Sequence, residues 1–129
     1  PNHLRLQLIS IATTNRAKNQ TPEGIKLQQA DAILGHLKPA QTHIVFDERG
    51  KKIDTVYLSQ QLAEWQMLGA DVNLIVGGAD GLHPKVMQQA HHKWSLSALT
   101  FPHQLVKVII AEQIYRAYSL LNNHPYHRE

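Results

Sequence analysis

An α/β domain, with a mainly parallel sheet flanked by helices, is the fold class this sequence predicts. Three observations carry it. Val72-Asn73-Leu74-Ile75-Val76 is almost continuously apolar, which suits a strand buried on both faces between layers of helix. The run passes directly into Gly77-Gly78-Ala79-Asp80-Gly81. Glycines at the carboxyl end of such a strand let backbone N–H groups approach a small ligand. Strand-type and helix-type patterns then alternate along the whole chain.

Taken in order, Leu4-Arg5-Leu6-Gln7-Leu8 alternates apolar and polar side chains and Ile9 and Ile11 extend it, so a strand is expected over 4–11. Residues 13–20 are polar and read as a loop. Thr21-Pro22-Glu23 signals a helix start: a capping hydroxyl, a proline in the first turn, an acid near the positive helix end. Ile25, Ala30, Ile33, Leu34 and Leu37 share one face, and Pro39 is expected to end that helix. A second strand is expected over 42–47, followed by a charged turn, Asp47-Glu48-Arg49-Gly50-Lys51. Ser59 is expected to cap a helix over 60–68, with Leu62, Trp65 and Leu68 inward and Gly69 as its stop. After the strand at 72–76, Pro84 starts a short helix to about residue 91. A fourth strand is expected over 94–99 and a long helix over 102–121.

That last helix is apolar on most sides. Leu105, Val108, Ile109, Tyr115 and Tyr118 could form one inward face, while Val106, Ile110, Ile114, Ala117 and Leu121 fall around the rest. Such a helix is buried on most sides, and a small domain has limited core to offer it. Part of it is expected to pack against a second subunit.

The 129 residues suit one domain spanning 1–129, and 43% hydrophobic content is enough for a core. Cysteine is absent, which excludes disulfides, thiolate chemistry and cysteine-bound zinc. The net charge of +3, with nine histidines, permits a nucleic-acid partner without demanding one. No apolar run approaches the roughly 18–20 residues of a membrane span. No signal-peptide pattern opens the chain, so no membrane partner and a cytoplasmic location are expected.

The glycine loop lacks both the Gly-Lys-Ser/Thr ending of a phosphate loop and the G-x-G-x-x-G spacing of a dinucleotide fold. A turn needing positive φ remains an equal reading of it. No His-Glu-x-x-His pair or carboxylate set stands at ligand spacing, so no metal is expected. Ser95 and Ser97 lie outside any G-x-S-x-G elbow. The segment from Leu96 to Phe101 offers backbone hydrogen-bonding groups between apolar side chains, which suits an adenine and a thioether-like chain, or a buried strand and turn. His103 follows Pro102 near a helix start, where it can cap the helix or handle a proton. Tyr126-His127-Arg128 places a stacking ring, an imidazole and a phosphate fork at the chain end.

Four segments together resemble one family. They are Val76-Gly77-Gly78-Ala79-Asp80-Gly81-Leu82, Ser95-Leu96-Ser97-Ala98-Leu99-Thr100-Phe101-Pro102-His103, Glu112-Gln113-Ile114-Tyr115-Arg116-Ala117 and Asn123-His124-Pro125-Tyr126-His127-Arg128-Glu129. The match is to the RlmH family, bacterial 23S rRNA pseudouridine N3-methyltransferases of the SPOUT superfamily, and it runs over nearly the whole chain. The resemblance implies an α/β fold with a C-terminal trefoil knot, a homodimer, S-adenosylmethionine as methyl donor and 23S rRNA in the large subunit or ribosome as partner. It implies cofactor contacts at Phe46, Gly77, Leu96, Ser97, Ala98, Leu99, Thr100 and Phe101, and catalysis and substrate recognition at His103, Tyr126, His127 and Arg128. Family members begin with a further strand and helix ahead of the segment matching 4–11, so an incomplete domain is expected here. Other readings are a non-catalytic RNA- or ribosome-binding module, a tRNA methyltransferase of the same fold, and a nucleotide-binding regulatory domain.

Overall fold

Alternation of strand and helix holds along the computed structural model, which describes residues 4–10, 21–77, 82–96 and 103–122. The elements are β1 (Arg5–Ser10), α1 (Pro22–Leu34), β2 (Thr42–Lys52), α2 (Thr55–Leu68), β3 (Asp71–Val76), α3 (Pro84–Gln89), β4 (His92–Ser95) and α4 (His103–Leu121). The four strands form one sheet in the order β1-β3-β2-β4, and every pairing in it is parallel. The chain crosses the sheet one way through α1 and α3 and the other way through α2. A single crossover hand then puts α1 and α3 on one face and α2 on the other.

Packing agrees with that. Side chains alternate along each strand. Ile44, Val72, Leu74, Val76 and Trp94 meet Leu58, Leu62 and Trp65 of α2 and Ile110 and Ala117 of α4. Ile9, Val45 and Ile75 point the other way, onto Ala30 and Ile33 of α1 and onto Leu82 and Val86. Central β3 is therefore covered on both faces, and Val72 through Val76 are all buried.

Several sequence expectations hold in detail. The Thr21 side chain accepts from Gly24 N at 3.0 Å and caps α1. Gly69 ends α2 in the left-handed region, at φ 61°, where a side chain would be strained.

Others are corrected. Helix α1 ends at Leu34 before Pro39 is reached. His36 N and Leu37 N turn back to Ile33 O and Leu34 O, a tighter winding that closes the helix. Asp54, not Ser59, caps α2: its Oδ1 accepts from Tyr57 N at 2.7 Å. A carboxylate there also meets the positive helix end. Ser59 lies inside the helix and is buried, and Leu68 is 72% exposed. The buried arc centred on Leu58, Leu62 and Trp65 takes in Ser59 and leaves Leu68 outside. The Asp47–Lys51 segment is not a turn. It is a bulge within the single long strand β2, where both Phe46 and Lys51 oppose Trp94. Strand β4 stops at Ser95.

On α4 the inward face differs from the expected one, of which Ile109 alone turns in, onto the cavity. Ile110 and Ala117 are buried, with Val106, Ile114 and Leu121 packed beside them. Leu105, Val108, Tyr115 and Tyr118 are exposed. A helix apolar all round carries no periodic signal to choose its face. The implied knot depends on the chain path through 78–81 and 97–102, which lies outside the described residues.

Candidate functional site

The candidate site lies where the pairing of β2 with β3 ends. Phe46 pairs with Val76, and Gly77 follows directly. The connection leaving β2 runs through α2 on one face of the sheet, and the connection leaving β3 runs through α3 on the other. Between two adjacent strands whose connections diverge a crevice opens, the place where open α/β sheets bind ligands.

Two of the expected cofactor contacts, Phe46 and Leu96, line a single cavity of about 270 Å³. Leu6 and Leu74 of the sheet, Leu58, Leu62 and Trp65 of α2, and Ile109, Ile110 and Ile114 of α4 supply its apolar walls. Gly77 lies one residue past the Phe46–Val76 pair and does not line it. His103 is the first residue of α4. Ser97, Ala98, Leu99, Thr100, Phe101, Tyr126, His127 and Arg128 lie outside the described residues.

The polar groups on the cavity wall come from positions to which the sequence assigned no role, Asp54, Thr55 and Gln113, the last within the family segment Glu112–Ala117. Thr55 Oγ1 donates to Gln113 Oε1 at 2.7 Å, and Gln113 Nε2 donates to Glu112 Oε1 at 3.0 Å. Arg116 closes the chain of contacts, 2.8 Å from Glu112 Oε2. The carboxamide of Gln113 is thus oriented at both ends. Asp54 and Thr55 carried a local signal, their helix-cap chemistry. Gln113 carried none, because its place depends on α2 packing against α4.

An apolar cavity with a few fixed polar groups suits a ligand that is part hydrocarbon and part hydrogen-bonding heterocycle. That is the character of S-adenosylmethionine, and the residues present fit it. Phe46, Leu74 and Leu96 offer apolar contact to an adenine or a methionyl chain. Asp54, Thr55 and Gln113 offer acceptors and a donor to hydroxyl or ammonium groups.

A second polar group lies on the opposite face of the sheet. His43 and Asn73 are buried. His43 N donates to His91 Nδ1 at 2.9 Å, His91 N returns a bond to His43 O at 2.8 Å, and Asn73 Nδ2 donates to Gln41 Oε1 at 2.8 Å. Burial, and then the neighbouring His91, push the His43 pKa below its ordinary 6.5. The fold therefore favours neutral His43, and on acidification the unfolded chain takes its proton first. Stability from this group is present above about pH 6.5 and is lost as pH falls through the lowered folded value. The urea midpoint should drop between about pH 7 and about pH 5, and drop less in His43→Gln. Equal slopes in the two proteins would contradict the assignment.

Among the described residues, no three His, Cys, Asp or Glu side chains stand together to hold a metal. No helix there is long and apolar enough to cross a membrane.

Comparison with known proteins decides what kind of chain carries this cavity. A family model described as "Predicted SPOUT methyltransferase" matches residues 1–127. The chain belongs to the SPOUT methyltransferase family. This SPOUT chain is 46% identical over 129 residues to Ribosomal RNA large subunit methyltransferase H of Hahella chejuensis, a match covering all of this chain and 83% of that one. The protein of the same name from Hydrogenovibrio crunogenus is 47% identical over 129 residues, with the same coverage. That of Nitrosococcus oceani is 45% identical over 128 residues, covering 99% of this chain and 82% of its own. The family resemblance carried by the four sequence segments is borne out. The parallel α/β sheet is consistent with that family.

Proposed function

We propose that this SPOUT methyltransferase transfers a methyl group from S-adenosylmethionine to N3 of a pseudouridine in 23S rRNA, acting in the cytoplasm on the folded large subunit or the ribosome. One observation carries the substrate: relatives almost half identical over the whole chain are named for methylation of large-subunit ribosomal RNA. The cavity where the pairing of β2 with β3 ends supports the cofactor. Residues 1–129 act as one domain, and the chain beyond β3 is threaded in a trefoil knot.

When bound, S-adenosylmethionine supplies a methyl group to a nucleophilic nitrogen and leaves as a thioether. The chain's own residues do the rest by holding and aligning, and positioning supplies much of the rate. Phe46, Gly77, Leu96, Ser97, Ala98, Leu99, Thr100 and Phe101 hold the donor and exclude water from it. N3 of a pseudouridine lies between two carbonyls and carries a proton that must leave. His103 orients the base or relays that proton to solvent. Arg128 anchors a phosphate or stabilises the negative charge that develops on the ring, with His127 beside it. Tyr126 stacks on the base or hydrogen-bonds to it.

The working unit is a homodimer. Leu105, Val108, Tyr115 and Tyr118 of α4 and Met67 and Leu68 of α2 are exposed, and Gln66 Nε2 reaches Tyr118 Oη at 3.2 Å between the two helices. Two such apolar faces cover one another in a symmetric pair. The tail of one subunit then completes the site of the other. Titration calorimetry with S-adenosylmethionine tests the cofactor half of this reading. Saturable binding supports it, and heat no larger than dilution overturns it.

A further inference from the structure

We propose that the bulged half of β2, together with Lys93 of β4, is a phosphate-contacting surface that grips the backbone of the RNA substrate beside the donor cavity. The proposal rests on reading the chain as an rRNA methyltransferase. It concerns residues outside the cavity and outside the tail.

Arg49, Lys51, Lys52 and Lys93 are exposed, as is Lys85 on α3. Arg49, Gly50 and Lys93 line an open groove of about 490 Å³ with Pro84, Met87 and Gln88. By count, these five cations stand against Asp47 and Glu48 in the bulge, whereas the other described residues hold five Lys and Arg against six Asp and Glu. The positive excess of the described chain is therefore concentrated here. Asp47 works as an internal brace. Its Oδ1 accepts from Arg49 N at 2.9 Å and from Arg49 Nε at 3.2 Å. The Arg49 hydrogen bond holds the Asp47 carboxyl below its ordinary range. The Arg49 side chain stays 80% exposed while it does so. Lys51 Nζ sits 4.2 Å from the centre of the Tyr57 ring, which steers its stem without neutralising its charge.

Two features mark this as a built surface and not scattered charge. A Cβ on Gly50 would stand 2.6 Å from the carbonyl carbon and oxygen of Lys93 and 2.8 Å from Trp94 N. The bulge is pressed onto β4 at a position that only glycine can fill, so the backbone that carries its cations is fixed against β4. The basic segment is also flanked in sequence by the cavity: Phe46 precedes it, and Ile53, Asp54 and Thr55 follow it, all of them on the cavity wall. An RNA base presented to the donor brings its flanking phosphates to the far half of β2, where Lys51 meets Tyr57 on the α2 side of the sheet and Arg49 and Lys93 line the groove on the α3 side. Such contacts fix register and orientation and leave base selection to other groups.

The test uses Lys52→Glu/Lys93→Glu and the charge-keeping Lys52→Arg/Lys93→Arg, both in the full chain. Each is checked by thermal melting and by S-adenosylmethionine calorimetry, which should match the parent. With purified large ribosomal subunits as substrate, the charge-reversed protein should show KM raised about tenfold at unchanged kcat. Its log KM should depend on log salt with a slope shallower by about two. The arginine pair should behave as the parent. Filter binding to the same subunits reads the surface independently of catalysis. Unchanged KM, binding and salt slope in the charge-reversed protein would overturn the proposal. A parent that binds subunits through these lysines but methylates nothing would instead overturn the enzymatic reading and leave the surface standing.

Discussion

Trp94→Ala is expected to cost about 3–5 kcal/mol of stability, the range for removing a fully buried large aromatic side chain. Trp94 is 1% exposed and sits at the centre of the larger core. Its ring stacks on Trp65 at 5.7 Å and 18°, and it meets Tyr57 edge-on at 5.8 Å and Phe46 at 6.2 Å. Each aromatic pair adds about 0.5–1.5 kcal/mol beyond area alone. Trp94 also opposes both Phe46 and Lys51 across the bulge. Its loss leaves a void beneath the very segment that carries Phe46 to the cavity. In a domain of this size the midpoint of thermal unfolding should fall by roughly 10–20 °C. Methyl transfer should fall with it even below the transition. A shift of only a few degrees would mean that the core is not organised around this ring.

Arg128→Ala should lower methyl transfer by about 10²–10³ while leaving S-adenosylmethionine affinity as it was. The guanidinium can present two parallel N–H groups to a phosphate or to a developing anion, so Lys should recover little of the loss. A role confined to anchoring the tail would instead be met by lysine. Mixed dimers carry the argument to the partner subunit. Arg128→Ala and a cofactor-loop variant such as Ala98→Glu should each be inactive alone. Random mixing should restore roughly a quarter of parent activity if one subunit's tail serves the other's cavity. No recovery in any mixture would remove the shared site.

What the sequence made legible follows from where local chemistry decides the structure. The Val72–Val76 run could only be a central strand, and the cap at Thr21 and the stop at Gly69 depend on single residues. Where two local signals compete, packing decides. Asp54 and Ser59 are both cap residues, and Asp54 prevails because a helix starting at Thr55 brings Leu58 into line with Leu62 and Trp65. Charges and a glycine at 47–51 read as turn chemistry. The strand continues because Gly50 lets the bulge lie against the Lys93–Trp94 backbone, a contact between residues more than forty apart in sequence. The face of α4 was hidden by its uniform apolarity. Of the residues that line the cavity, Phe46 and Leu96 were expected from the family resemblance, whereas Thr55 and Gln113 meet only after α2 and α4 have packed.

The central claim is methyl transfer to one nucleotide of folded large-subunit RNA. The direct measurement incubates purified protein and S-adenosylmethionine with ribosomes from cells lacking the protein, then maps methyl groups on every RNA by mass spectrometry. The account predicts a single new methyl at N3 of one pseudouridine of 23S rRNA, dependent on Arg128. Methylation of tRNA alone, or no new methyl on 23S rRNA despite bound S-adenosylmethionine, would contradict it.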